Sequence, residues 1–186
     1  MSTSGERSRI EQSSRSSPGA SQLSGPTLEP DPDFRKVIVD LLGRPDASLR
    51  FTPLTGGVSS DIWRVDAPDT CWCAKRALPR LRVQALWEAP VARNAEEVRW
   101  LRTARHWIGE QAAEVVAHDE HAGVAILRWY DPALWHNWKS RLLAGTVDVR
   151  VARALGTALA TIAIGAAREP GLDARFDNAV LFDALR

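Results

Sequence analysis

Leu54-Thr-Gly-Gly-Val-Ser-Ser-Asp-Ile-Trp-Arg-Val65, then a polar turn and Cys71-Trp-Cys-Ala-Lys75, is the stretch whose reading decides the fold. Phe51 to Leu54 read as the end of a strand. Thr55-Gly56-Gly57 does not continue it well, because paired glycines permit positive φ and close backbone approach. Asp61, Trp63 and Val65 alternate with Ile62, Arg64 and Asp66 in a β-rich run. Pro68-Asp69 is a turn signal, and Cys71 to Ala77 reads as the next strand with Lys75 inside it. A glycine loop between strands can lay backbone N–H groups over a phosphate, and a lysine one strand later can meet that phosphate as a point charge. On the glycine pair alone, an ordinary hairpin with an exposed lysine is the simpler reading.

The following segment shifts the balance. Ala89-Pro90 opens an amphipathic helix predicted over Pro90 to Trp107, with proline tolerated in its first turn. Val91, Val98, Leu101 and Trp107 supply its apolar positions, and Glu96-Glu97 fall in its middle. A strand lysine followed by a helix glutamate is the order in which a kinase holds its lysine on ATP phosphates, so Lys75 is expected to pair with Glu97, with Glu96 as the alternative partner.

With these residues in view, the chain resembles the N-terminal half of a small-molecule kinase of the aminoglycoside phosphotransferase superfamily, which includes choline and methylthioribose kinases. The resemblance rests on Leu54 to Trp63, Ala74 to Leu78, Leu81-Arg-Val83, Trp87, Arg93-Asn94-Ala-Glu-Glu97-Val, and Trp138-Lys139 with Leu142-Leu-Ala-Gly145. It covers Phe51 to Arg186 and lies in the ordered set, not in any single motif. It implies an α+β fold: a protein-kinase-like N-terminal lobe of antiparallel sheet plus one long helix, then the first helices of a truncated helical lobe. It implies ATP as cofactor, held by Gly56, Gly57, Val58, Ser59, Ser60, Lys75 and Glu97, with Leu127 and Trp129 at a hinge whose backbone meets the adenine. An acidic residue after a methionine is common at that hinge; here Leu127-Arg128 stands instead.

Composition narrows the field. The chain has 186 residues and a formal net charge of +1, so no global field draws nucleic acid or an anionic membrane. No apolar run is expected to reach the length of a membrane span, and the start lacks the apolar core of a signal peptide. Cys71 and Cys73 are two apart on a strand, where a disulfide would be strained and a zinc site incomplete; reduced thiols in a cytoplasmic protein are expected. Eight tryptophans against one tyrosine read mainly as core anchors, with one or two available to line a cleft.

In chain order, residues 1–33 are rich in Ser, Pro and Gly, and read as a disordered tail. Residues 34–129 form the kinase-like lobe: a helix from Phe34 to Leu42, a strand from Leu49, the strands above, the long helix, and a hairpin of Glu114–His118 with Val124–Trp129. Residues 130–186 form the hinge and a partial helical lobe. One helix is predicted over Pro132 to Ala144, a longer one is capped by Asp148, and Phe176 to Leu185 form a last short one.

The family's catalytic segment begins His-Gly-Asp, and its asparagine and a later aspartate hold Mg²⁺. No His-Gly-Asp occurs in this chain, so no catalytic residue and no metal ligand is assigned to it. His106, His118, His121 and His136 are isolated and read as surface or turn residues. The expectation is an ATP-dependent phosphotransferase family member, incomplete and inactive alone, with an unknown small-molecule hydroxyl acceptor. The alternative is a non-catalytic nucleotide-binding or interaction remnant. The apolar faces of Trp135, Trp138, Leu142, Leu155, Leu159 and Ile162 are expected to stay partly uncovered and to favour self-association or a complementing chain.

Overall fold

The computed structural model describes residues 29–55 and 57–183. The expected tail thus lies, up to residue 28, outside the described residues, as does Gly56. From Glu29 onward the chain is engaged: Glu29 pairs with Arg35 at 2.7 Å, and Asp31 with Arg76 at 3.0 Å.

Helix α1 (Pro32–Leu42) starts two residues before the predicted Phe34. Asp31 takes the N-cap, its side chain accepting the Phe34 N–H at 3.1 Å, and proline fills the first position, where its missing N–H costs nothing. Gly43 ends the helix at φ 59°, the left-handed conformation that glycine adopts without strain. Five antiparallel strands follow: β1 (Arg50–Pro53), β2 (Ser60–Asp66), β3 (Cys71–Ala77), β4 (Val115–Asp119) and β5 (Val124–Arg128). Their order across the sheet is β1-β2-β3-β5-β4.

Register fixes which side chains share a face. Phe51 lies opposite Val65, Trp63 opposite Ala74, and Ala74 opposite Ile126. With Val124 these residues form one buried face, packed with Phe34 and Ile38 of α1. A strand side chain points away from its neighbours in sequence, so Ile62, Lys75 and Ala125, also in register, face the opposite side. Helix α2 (Arg93–Ile108) packs there, contacting β3, β4 and β5, with Val98 almost fully buried.

Helix α2 begins at Arg93, because Pro90 to Ala92 form a turn instead of helix. Glu96 and Glu97 therefore lie near its start and not in its middle. The single helix predicted over Pro132 to Ala144 is also shorter. Asp131 and the residues after it form turns, and α3 (Trp138–Leu143) starts only where Asn137 caps the Ser140 N–H.

Helix α4 (Val149–Arg168) is capped by Asp148, whose side chain accepts the Arg150 N–H. It is long and apolar enough to cross a membrane by length and composition, which corrects the expectation that no apolar run reaches that length. Its arginines at 150, 153 and 168 sit near the ends, so residues 154–167 run without a charge. In this fold α4 packs on α2, while Leu155 and Leu159 remain exposed together with Trp135 and Leu142. Trp138 and Ile162, expected on the same uncovered faces, are half-buried. Two short helices, α5 (Leu172–Arg175) and α6 (Ala179–Asp183), follow.

Two substitutions test this packing. Asp31→Ala removes the cap of α1 and should lower stability by about 1 kcal/mol in denaturant unfolding at neutral pH. The Phe34 N–H and Arg76 hold the Asp31 carboxyl below the usual range. Its contribution is therefore present above the ordinary aspartate pKa and is lost as pH falls through the folded value, so wild type and variant should converge in acid. Gly165 lies against Trp107, where an added Cβ would come within 2.7 Å of three ring atoms. Gly165→Val should destabilise by roughly 1–3 kcal/mol through overpacking of α2 on α4.

Candidate functional site

The α2-facing side of the sheet carries the site. Its floor is built in register from β2, β3 and β5: Ile62, Lys75 and Ala125 in one row, Arg64, Cys73 and Leu127 in the next. Lys75 Nζ donates to both carboxylate oxygens of Glu97 at 2.6 Å. The two side chains are 22% and 41% exposed, so the pair lies at the edge of the helix–sheet seam, open to a ligand. An ion pair of such exposure contributes about 1 kcal/mol or less to stability, too little to account for its placement by stability alone.

The loop before β2 sits above this floor. A side chain at Gly57 would meet the Ser60 carbonyl at 3.0 Å and Ile62 Cδ1 at 3.2 Å, so the backbone there lies tight against the start of β2. The carbonyls are engaged: Val58 accepts from the Arg82 N–H at 2.8 Å and Ser59 from the Leu78 N–H at 3.0 Å. Among the described residues, no acceptor takes the N–H groups of Gly57, Val58 or Ser59. With the Val58 and Ser59 carbonyls engaged and no acceptor for these three N–H groups among the described residues, the loop is suited to an anion. Ser60, counted with the loop, is instead the buried first residue of β2, opposite Ala77.

Farther along the same face Leu127 lies opposite Cys73, one residue before the end of β5, and Trp129 follows the strand. The Arg64 guanidinium lies 4.9 Å from the Trp129 ring centre while pairing with Asp66 at 2.6 Å. The Trp129 indole N–H is buried without an acceptor among the described residues. Burial pushes the Cys73 thiol up, the Lys75 ammonium pulling it partly back, so the thiol is protonated at neutral pH.

The structure thus brings Lys75 and Glu97 together beside Ile62, against which Gly57 of the loop lies, with Leu127 on the same floor and Trp129 following its strand. Reading the sequence missed two contributors. In the sequence Arg93 stands out only as part of the Arg93–Val98 motif, yet its guanidinium donates to four backbone carbonyls. His118, expected as an isolated surface or turn residue, lies on β4 with Nε2 3.0 Å from Oδ1 of buried Asn94. It therefore joins β4 to the first turn of α2. Burial and the nearby Arg102 lower its pKa, against the pull of Glu120 and Asp119. The signal available in the sequence was Asn94 itself, a polar residue one position after the start of a helix whose next residues face the sheet. Among the described residues no group of three metal-ligating side chains occurs.

The fold and site together define an α+β domain in which a strand lysine and a helix glutamate meet beneath an N–H-bearing loop. No protein-family model and no curated protein matches the chain. A solved structure named for a fructosamine-3-kinase from Thermobifida fusca aligns at 18% identity and a TM-score of 0.37, over 52% of this chain and 31% of that one. This chain thus spans less than a third of that neighbour's length.

Cys73 reports on the site. Its alkylation should rise with pH along a midpoint above the ordinary thiol range. Lys75→Met should push the midpoint higher still, because the ammonium that favours the thiolate is gone while Glu97 remains. Rates by mass spectrometry across a pH series give both values.

Proposed function

We propose that this chain binds ATP between the 55–60 loop and the Lys75–Glu97 pair, as the phosphate-holding lobe of a small-molecule phosphotransferase fold. One observation carries the reading: the bidentate contact of Glu97 with Lys75 at 2.6 Å on the sheet face below the loop. In it Glu97 holds the ammonium at a fixed place, and Lys75 meets the phosphate oxygens as a point charge. The N–H groups of Gly57, Val58 and Ser59, which meet no acceptor among the described residues, donate to the same phosphates, with Gly56 as the loop's other glycine. Leu127 supplies an apolar wall and Trp129 an aromatic face for the base. Magnesium would supply charge neutralisation on the phosphates in a complete phosphotransferase, and no residue described here is assigned to it. With no His-Gly-Asp in the sequence, the role assigned is nucleotide binding, and a small-molecule hydroxyl is the acceptor the fold would serve.

The chain contains three lysines, Lys36, Lys75 and Lys139, which makes the test direct. Trace acylation followed by peptide mass spectrometry should show ATP slowing the labelling of Lys75 alone. Lys75→Met should weaken ATP binding by about 10–100-fold, the loss of one charge-assisted contact. Saturating ATP that leaves Lys75 labelling unchanged would overturn the reading.

A further inference from the structure

Arg93 occupies an unusual place. It is the first residue of α2, where the helix dipole disfavours a cation and an acidic side chain would be the stabilising choice. Its guanidinium is half-buried, and that burial lowers its pKa, against the pull of Glu97. Four backbone carbonyls answer both costs. Nη1 donates to Ala89 at 2.9 Å and Pro90 at 2.8 Å; Nη2 donates to Ser59 at 2.6 Å and Leu78 at 2.7 Å.

These carbonyls belong to three different segments. Ser59 ends the glycine loop. Leu78 follows β3, three residues beyond Lys75. Ala89 and Pro90 lead into α2. Ser59 and Leu78 are themselves joined, since the Leu78 N–H donates to the Ser59 carbonyl. Glu97 lies one helical turn after Arg93, on the same side of α2. One planar fork therefore ties together the loop, the strand that carries the lysine and the helix that carries the glutamate.

We propose that Arg93 is a positioning residue: it locks the first turn of α2 onto the loop and the end of β3, and so sets Glu97 on Lys75. Its effect on nucleotide rests on the function proposed above; its effect on the Lys75–Glu97 pair does not. A residue serving helix stability alone would not need carbonyls from the loop and β3. Lysine is a poor replacement, because one nitrogen carries three donors and lacks the fixed fork that reaches four acceptors.

The test is trace acylation without nucleotide, with Lys36 and Lys139 as internal references. Arg93→Met should raise Lys75 labelling severalfold, approaching that of Glu97→Gln, with both references unchanged. Arg93→Lys should give a smaller rise. Arg105→Met is the control: Arg105 lies near the other end of α2 and donates to the Ala112 carbonyl at 3.0 Å, so it loosens the helix without touching the loop. It should leave Lys75 labelling at the wild-type value. Should Arg93→Met fail to fold, Arg93→Lys decides, checked by an unchanged far-ultraviolet spectrum. Lys75 labelling unchanged in the folded Arg93 variants, or raised equally by Arg105→Met, would overturn the proposal. An ATP titration on the same proteins separates the two readings. If wild type binds no ATP, the proposed function fails while the labelling still decides the role of Arg93. If wild type binds, Arg93→Met should bind several times more weakly.

Discussion

The two-residue alternation along β2, β3 and β5 is the constraint on which the rest depends. It divides one sheet into two surfaces of opposite character. Trp63, Val65, Ala74, Val124 and Ile126 face α1 and form the buried core. Ile62, Lys75 and Ala125 face α2 and form the floor of the candidate site. A slip of one residue in the β2–β3 register would exchange these sets, sending Lys75 into the core and Ala74 into the cleft. Burial of the apolar face therefore specifies the lysine's position without any direct interaction on the lysine itself.

Polar contacts hold the first turn of the helix above the floor. Val98 packs deeply, but the first turn of α2 is tied down by Arg93 to carbonyls, by Asn94 to His118 and by Glu97 to Lys75. Half-buried polar contacts of this kind contribute modestly to stability and strongly to geometry, because each donor has few acceptors in reach. Such a helix start keeps the carboxylate of Glu97 at a defined distance from the sheet. The same helix start meets, through Asn94, the imidazole of His118 on β4, which burial holds towards its neutral form.

The part of the chain after β5 is organised differently. Helix α4 meets α2 through Gly165 and Trp107, and leaves Leu155 and Leu159 in contact with solvent. Its long uncharged middle needs either a protein surface or an apolar medium to be covered fully. The sheet and α1, by contrast, close a core from their own residues. The two regions thus differ in how far each satisfies its own apolar surface.

Much of the local structure was legible in the sequence. Alternation marked β2 to within one residue, Ser60 belonging to the strand and not to the loop; β3 was marked at both ends, Asp148 marked the start of α4, and the order of a strand lysine before a helix glutamate indicated a pair that the structure makes at 2.6 Å. These features depend on period, caps and order along the chain, all of which are local. Tertiary structure alone decided that α2 starts at Arg93, since the carbonyls of Ser59 and Leu78 that receive its guanidinium are 34 and 15 residues away. It also decided that His118 serves as a partner for Asn94 and not as a surface residue, and that α4 shows much of its apolar surface. The physical reason is common to all three: a polar or apolar side chain takes its meaning from the acceptors and surfaces that folding brings to it, and those come from distant segments.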